Sequence, residues 1–86
     1  MKIKDGFLLR EVAGQNVVMP MSGDLYLNMM ITLNETGAFL WKQLETDKDE
    51  AALVAALLAE YDVDAQTAQK SVVAFVQKLS DNGFLA

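Results

Sequence analysis

The chain has 86 residues, of which 52% are hydrophobic and 22% charged, and its formal net charge is −5. A chain of this length forms one small domain, predicted here over residues 1–86, and its high apolar content excludes a disordered tail. The absence of histidine and cysteine removes the commonest general base, the nitrogen and sulfur ligands of metal ions, and disulfides. We therefore expect no catalytic residues, no metal site, no cofactor and no enzymatic activity.

Acidic residues are concentrated in one part of the chain. Between Glu45 and Asp64, seven acidic residues accompany one lysine, so this segment alone carries a charge of −6. A surface that follows a phosphate backbone needs clustered Lys and Arg. The charge distribution therefore argues against a nucleic-acid partner.

Apolar segments are short. The longest apolar run, Ala51–Ala59, is about half as long as a membrane-spanning helix. The first apolar segment, Phe7–Leu9, is too short for the core of a signal peptide. We expect no membrane association and a cytoplasmic protein.

The first third of the chain predicts three strands. Phe7–Val12 and Val17–Pro20 are rich in β-formers and are separated by residues 13–16, which predict a four-residue hairpin loop. Leu25–Leu33 reads LYLNMMITL, in which every odd position is aliphatic. This period of two predicts a third strand with one buried face.

Three helices follow the predicted strands. Each begins at a residue whose side chain is typical of a helix cap, and each has apolar residues at helical spacing. The predicted limits, cap first, are Asn34 to Leu44, Asp49 to Tyr61, and Asp62 or Asp64 to Asn82-Gly83. The order β-β-β-α-α-α predicts an α+β fold with a three-stranded antiparallel sheet followed by three helices.

Carboxylates are plentiful, but their spacing does not match a calcium loop. A loop that starts at Asp62 would have Thr67 at its sixth position, where a glycine is needed, and Val73 at its twelfth, where a glutamate is needed. We interpret these acids as helix caps and first-turn charges.

A long strand at the edge of a small sheet presents unpaired backbone N–H and C=O groups. An incoming extended peptide satisfies both sets of groups. The sequence thus favours a hypothesis in which Leu25–Leu33 captures a peptide by strand addition.

Three segments resemble the pyrroloquinoline-quinone biosynthesis protein D family. MITLNETGAFLW (30–41) resembles the family's strand-to-helix signature. LVAALLAEYDVD (53–64) is similar to its second helix and acidic loop, and VVAFVQKLSDNGFLA (72–86) to its last helix and tail. The resemblance covers nearly the whole chain in the right order.

This resemblance implies a winged-helix-like domain that recognises ribosomally made precursor peptides. In the family, the leader adds as a strand beside the third strand, lies against the third helix and is presented to a modifying enzyme, often a radical S-adenosylmethionine enzyme. The positions that would form this groove here are Leu27, Asn28, Met29, Met30, Ile31 and Thr32 with Gln69, Val72, Val73 and Val76. The KQLETDKDE stretch (42–50) departs from quinone-pathway members, so a different precursor is expected.

Some of these positions have a second interpretation. Met29 lies on the apolar face and fits an ordinary core position, which makes Met30 the better contact candidate. Val73 lies beside the main stripe of its helix and would simply widen the buried face. Lys70 and Lys78 fit positions that are exposed to solvent. The alternative is that they contact acidic residues of the leader.

Two other functions stay open at this point. A three-helix, three-strand domain is also typical of winged-helix nucleic-acid-binding regulators, although the third helix has only Lys70 and Lys78 as cations. The other function is that of a regulatory subunit that docks to an enzyme through its alanine-rich second helix. The edge that captures a leader would also be able to pair with its twin in a homodimer.

Overall fold

The computed structural model describes residues 1–20 and 31–86 and confirms the α+β class and the element order. The strands form one antiparallel sheet in the order β1-β2-β3, and three helices follow. The strands are β1 (Phe7–Val12), β2 (Gln15–Pro20) and β3 (Ile31–Leu33), and the helices are α1 (Glu35–Gln43), α2 (Glu50–Glu60) and α3 (Ala65–Asp81).

The loop between β1 and β2 has two residues, so the predicted four-residue loop is wrong. Ala13 and Gly14 have φ angles of 52° and 79°, and two consecutive positive values are typical of a type I′ turn. This turn follows the right-handed twist of the strands, so pairing continues up to it and Gln15 lies opposite Val12. Gln15 and Asn16 are polar, so the sequence pattern did not predict them as strand residues. Pairing with β1 overrides their weak local preference for a loop.

The described part of the third predicted strand is confirmed. Ile31 lies opposite Val18, and Thr32 lies opposite Val17. Leu33 is buried while Thr32 is exposed, which is the alternation expected of a strand with one buried face. Positions 25–30 of the prediction lie outside the described residues.

All three predicted helix caps are in place. In each helix the cap side chain accepts a hydrogen bond from the backbone N–H three residues later, at 2.7 Å for Asn34, 2.8 Å for Asp49 and 2.6 Å for Asp64. Of the two predicted caps of α3, Asp62 and Asp64, the structure therefore confirms Asp64. α3 ends at the predicted Asn82-Gly83 signal, where Gly83 has a φ of 76°, a left-handed conformation that glycine adopts without strain.

One hydrophobic cluster joins the sheet to the helices. Its side chains with no more than 2% exposure include Val18, Leu40, Trp41, Leu44, Leu53, Leu57, Val72, Leu79 and Phe84. The Phe84 ring makes edge contacts with two other rings, at centroid distances of 4.7 Å to Phe7 and 5.6 Å to Trp41. The chain after α3 therefore folds back and packs against both β1 and α1.

The segment before β1 is also tied to the rest of the molecule. Ile3 forms a β-bridge with Leu85, and its N–H donates to the Leu44 carbonyl at 2.9 Å. The Met1 ammonium donates to Asp47 Oδ1 at 2.7 Å, and this contact lowers the pKa of the Asp47 carboxyl. Of the helices that the structure describes, none is long and apolar enough to cross a membrane.

Replacing Asn34 with alanine should lower the free energy of unfolding by about 1 kcal/mol, because the Gly37 N–H would lose its side-chain acceptor. Urea denaturation followed by circular dichroism measures the change. Asn34→Ser restores an acceptor and should recover most of the loss. Equal stability of Asn34→Ala and the parent chain would show that the cap contributes nothing.

Stability should depend on the charge of Asp64 at acidic pH. Hydrogen bonds from Thr67, first from its backbone and then from its side chain, lower the pKa of Asp64 below its ordinary value of 3.8. A lowered folded-state pKa stabilises the fold above the ordinary pKa, and this contribution is lost as pH falls through the folded-state pKa.

Asp64→Asn keeps a capping oxygen but cannot ionise, so it is the matched control. The stability advantage of the parent chain over Asp64→Asn should be constant near neutral pH and should shrink below about pH 4. Denaturation midpoints across that range measure it. A constant difference down to the acid limit would contradict the prediction.

Candidate functional site

The outer edge of β3 carries backbone groups that β2 does not use. Hydrogen-bonded and non-hydrogen-bonded pairs alternate along antiparallel strands, and the pair that flanks a two-residue loop is hydrogen-bonded. Counting pairs from the loop makes Val17 a hydrogen-bonded partner of β1, so its backbone N–H and C=O point toward β1. The pair that Val17 forms with Thr32 of β3 is therefore non-hydrogen-bonded. The Thr32 N–H and C=O therefore point away from β2, and no hydrogen bond to them comes from residues 1–20 or 31–86.

A cleft of about 500 Å³ lies beside this edge. One wall is formed by the end of β3 and the start of α1, between Thr32 and Leu40, and the other wall by α3. We call it the β3–α3 cleft. The α3 residues that line it are Ser71, Ala74, Phe75 and Lys78.

The helical repeat of α3 places these four residues on one face. Positions 71, 74, 75 and 78 follow the i, i+3, i+4, i+7 pattern, and the stripe is about 10 Å long. Phe75 is 8% exposed and belongs to the core, whereas Ala74 is exposed. The small Ala74 side chain beside the large buried Phe75 leaves room in the cleft.

Gly37 lies in the first turn of α1, next to the Phe75 side chain of α3. A Cβ atom at this position would lie 3.4 Å from Phe75 Cε1 and 3.1 Å from Asn34 Oδ1. Glycine therefore allows the first turn of α1 to approach both the Phe75 ring and the cap. The cleft also includes Gly37 in its lining, so a larger residue there would reduce its volume.

On the strand side, two predicted site residues lie within the described chain. Thr32 is exposed and lines the β3–α3 cleft, while Ile31 is partly buried and packs against the core. The predicted contacts Leu27, Asn28, Met29 and Met30 lie outside the described residues.

On the helix side, the predicted residues do not line this cleft. Val72 has 0% exposure and belongs to the core, and its role in peptide binding stays a prediction. Val76 is partly buried against the same core. Gln69 and Val73 are exposed and line a separate depression of about 420 Å³ that α3 shares with α2. Roles for Gln69, Val73 and Val76 in peptide binding stay predictions.

The sequence did not predict that the α3 side of the cleft is formed by residues such as Ser71 and Ala74. The reason is that the apolar stripe of a helix has residues on both sides of it. The pattern identifies the buried stripe, but it does not say which flank faces β3. Ser71 and Ala74, small residues next to the stripe, are the signal that could have found the wall. Small side chains beside a stripe leave space, and the structure places that space next to the sheet edge.

Lys78 is the one ionisable residue in the lining of the β3–α3 cleft. One turn further along α3, the Asp81 carboxylate accepts a hydrogen bond from Gln77 Nε2 at 2.8 Å. Within the described part of the chain, no three acidic residues come close enough to hold a metal ion. The arrangement therefore offers backbone hydrogen bonds, an apolar surface and a single cation.

Two solved structures are similar to this chain in fold. The structure of TbiB1 in complex with the TbiA(β) leader peptide is similar to this chain with a TM-score of 0.76 and 27% sequence identity, covering 99% of this chain and 94% of that one. A lasso peptide synthetase B1 complexed with the leader peptide has the same fold, with a TM-score of 0.72, 23% identity, and coverage of 96% and 93%.

No curated protein matched the chain in sequence. The sequence model of the family described as Coenzyme PQQ synthesis protein D (PqqD) matches residues 15–85. That match includes β2, β3 and all three helices, and hence every described residue that lines the β3–α3 cleft. The chain belongs to the PqqD family.

Proposed function

We propose that this chain binds the leader of a ribosomally synthesised precursor peptide and presents it to a modifying enzyme. The leader pairs with the outer edge of β3 as an added strand, and its side chains enter the β3–α3 cleft. The chain itself performs no chemistry in this role.

One observation carries the proposal. The outward-facing N–H and C=O of Thr32 lie directly beside a cleft whose lining combines apolar and polar side chains. Strand addition needs both features, because the open edge supplies affinity through main-chain bonds and the neighbouring surface supplies specificity through side chains. The two similar structures support this role, since both were determined with leader peptides bound.

Main-chain bonds alone do not give strong binding. Each hydrogen bond contributes about 0.5–1.5 kcal/mol net, while ordering a flexible peptide costs about 0.5–1.5 kcal/mol for each immobilised side chain. Burial of apolar leader side chains in the cleft, beside Ala74 and Phe75, has to supply the remainder. The β3–α3 cleft is therefore as necessary to the proposal as the strand edge.

The partner that receives the leader is also part of the proposal. We infer a modifying enzyme, with a radical S-adenosylmethionine enzyme as the class that the sequence resemblance favours. A homodimer formed through the same β3 edge and a cytoplasmic location stay predictions from the sequence.

The nucleic-acid-binding alternative is not favoured. Both similar structures hold peptides, and the cleft-lining face of α3 has Lys78 as its one cation. Recognition of a phosphate backbone needs several Lys or Arg side chains on one surface.

Thr32→Pro tests the open edge. Proline at this position removes the outward N–H but no bond to β2, so the fold should persist while affinity falls about tenfold or more. Thr32→Val keeps the amide and the β-branched shape and should bind like the parent chain. The probe is the leader of the precursor encoded beside this chain, titrated by calorimetry.

Ala74→Phe tests the cleft in the same assay. Its ring should fill the space beside Phe75 and abolish binding, whereas Ala55→Phe on α2, outside the lining of this cleft, should not. Thermal melting of all four variants verifies folding. Unchanged affinity in both Thr32→Pro and Ala74→Phe would rule out strand addition at β3.

A further inference from the structure

The β3–α3 cleft has an uneven charge distribution. Its walls combine apolar and uncharged polar side chains, and the Lys78 ammonium is its one formal charge. The acidic segment between Glu45 and Asp64, which carries a charge of −6, contributes no residue to this lining.

Lys78 has no acidic partner in the described part of the chain. Between residues 1–20 and 31–86 the one ion pair joins the Met1 ammonium to Asp47. The nearest acid along α3, Asp81, accepts a hydrogen bond from Gln77 instead. A carboxylate that arrives with a ligand would therefore meet a cation that no described acid neutralises.

The geometry of an added strand decides where that carboxylate must be. Side chains on one face of a strand are two residues, or about 6.7 Å, apart. Phe75 and Lys78 are one helical turn apart, which is about 4.5 Å along α3, and the lysine side chain extends the reach. For a strand that runs along α3, a leader side chain that packs on Phe75 therefore brings the side chain two positions away, on the same face, within reach of Lys78.

We propose that Lys78 determines specificity by selecting leaders with an Asp or Glu two residues from an apolar anchor. This inference rests on the proposed function and specifies its ligand. The apolar side chain packs beside Ala74 and Phe75, and the carboxylate accepts a charge-assisted hydrogen bond from the Lys78 ammonium. Because Lys78 is exposed, salt should weaken the preference.

Lys70 provides a matched control. It lies on the same helix and carries the same charge, but it lines a neighbouring depression, whose lining shares Ala74 and no other residue with the β3–α3 cleft. Lys70→Glu and Lys78→Glu change the net charge equally. A general electrostatic effect would act in both variants, whereas a contact in the cleft would act only in the second.

The experiment is a selection of random displayed peptides on the parent chain and on the two variants. The parent chain and Lys70→Glu should enrich Asp or Glu two positions from an apolar residue, and Lys78→Glu should enrich Lys or Arg there. Replacing the selected Glu by Gln in the best parent-chain peptide should weaken binding about fivefold. The same replacement should change nothing in Lys78→Met.

The outcomes separate the two proposals. Peptides that are enriched on the parent chain and blocked by Ala74→Phe, but without an acidic preference, would overturn the role of Lys78 and leave leader capture intact. An acidic preference that survives Lys78→Glu would do the same. No enrichment on the folded parent chain would overturn both proposals.

Discussion

The antiparallel pairing of β3 with β2 is the constraint on which the candidate site depends. It buries Leu33, exposes Thr32 and fixes which backbone groups of β3 face outward. Asn34 follows directly and caps α1, so the strand changes to a helix within one residue. The sharp change of direction leaves the first turn of α1 next to α3, and the β3–α3 cleft is the space between them.

Features that follow from local chemistry were predictable from the sequence. Asn34, Asp49 and Asp64 cap their helices because a short polar side chain can accept an N–H of the first turn whatever surrounds it. The end of α3 before Gly83 follows from the freedom of glycine at positive φ. The Ala13-Gly14 turn was missed because its length depends on pairing between strands as well as on its own residues.

The position of the site depends on relations between elements, which periodicity describes only in part. The pattern of α3 identifies Val72, Phe75 and Leu79 as one buried stripe. It leaves open whether β3 lies beside Ser71 and Ala74 or beside Gln69 and Val73. The packing of α2 settles the question, because α2 occupies the side of α3 that carries Gln69 and Val73. The edge beside β3 is therefore the opposite flank.

Alternate residues of β3 also have different roles, in the stability of the fold or in the surface that a ligand meets. In a strand of L-residues, side chains on one face belong to residues whose amides point to the same edge. The side chains of Ile31 and Leu33 face the core, and their backbone groups bond to β2. The side chain of Thr32 is exposed, and its backbone N–H and C=O point away from β2. Substitutions at an outward position such as Thr32 can thus change the surface that a ligand meets with little effect on the stability of the fold.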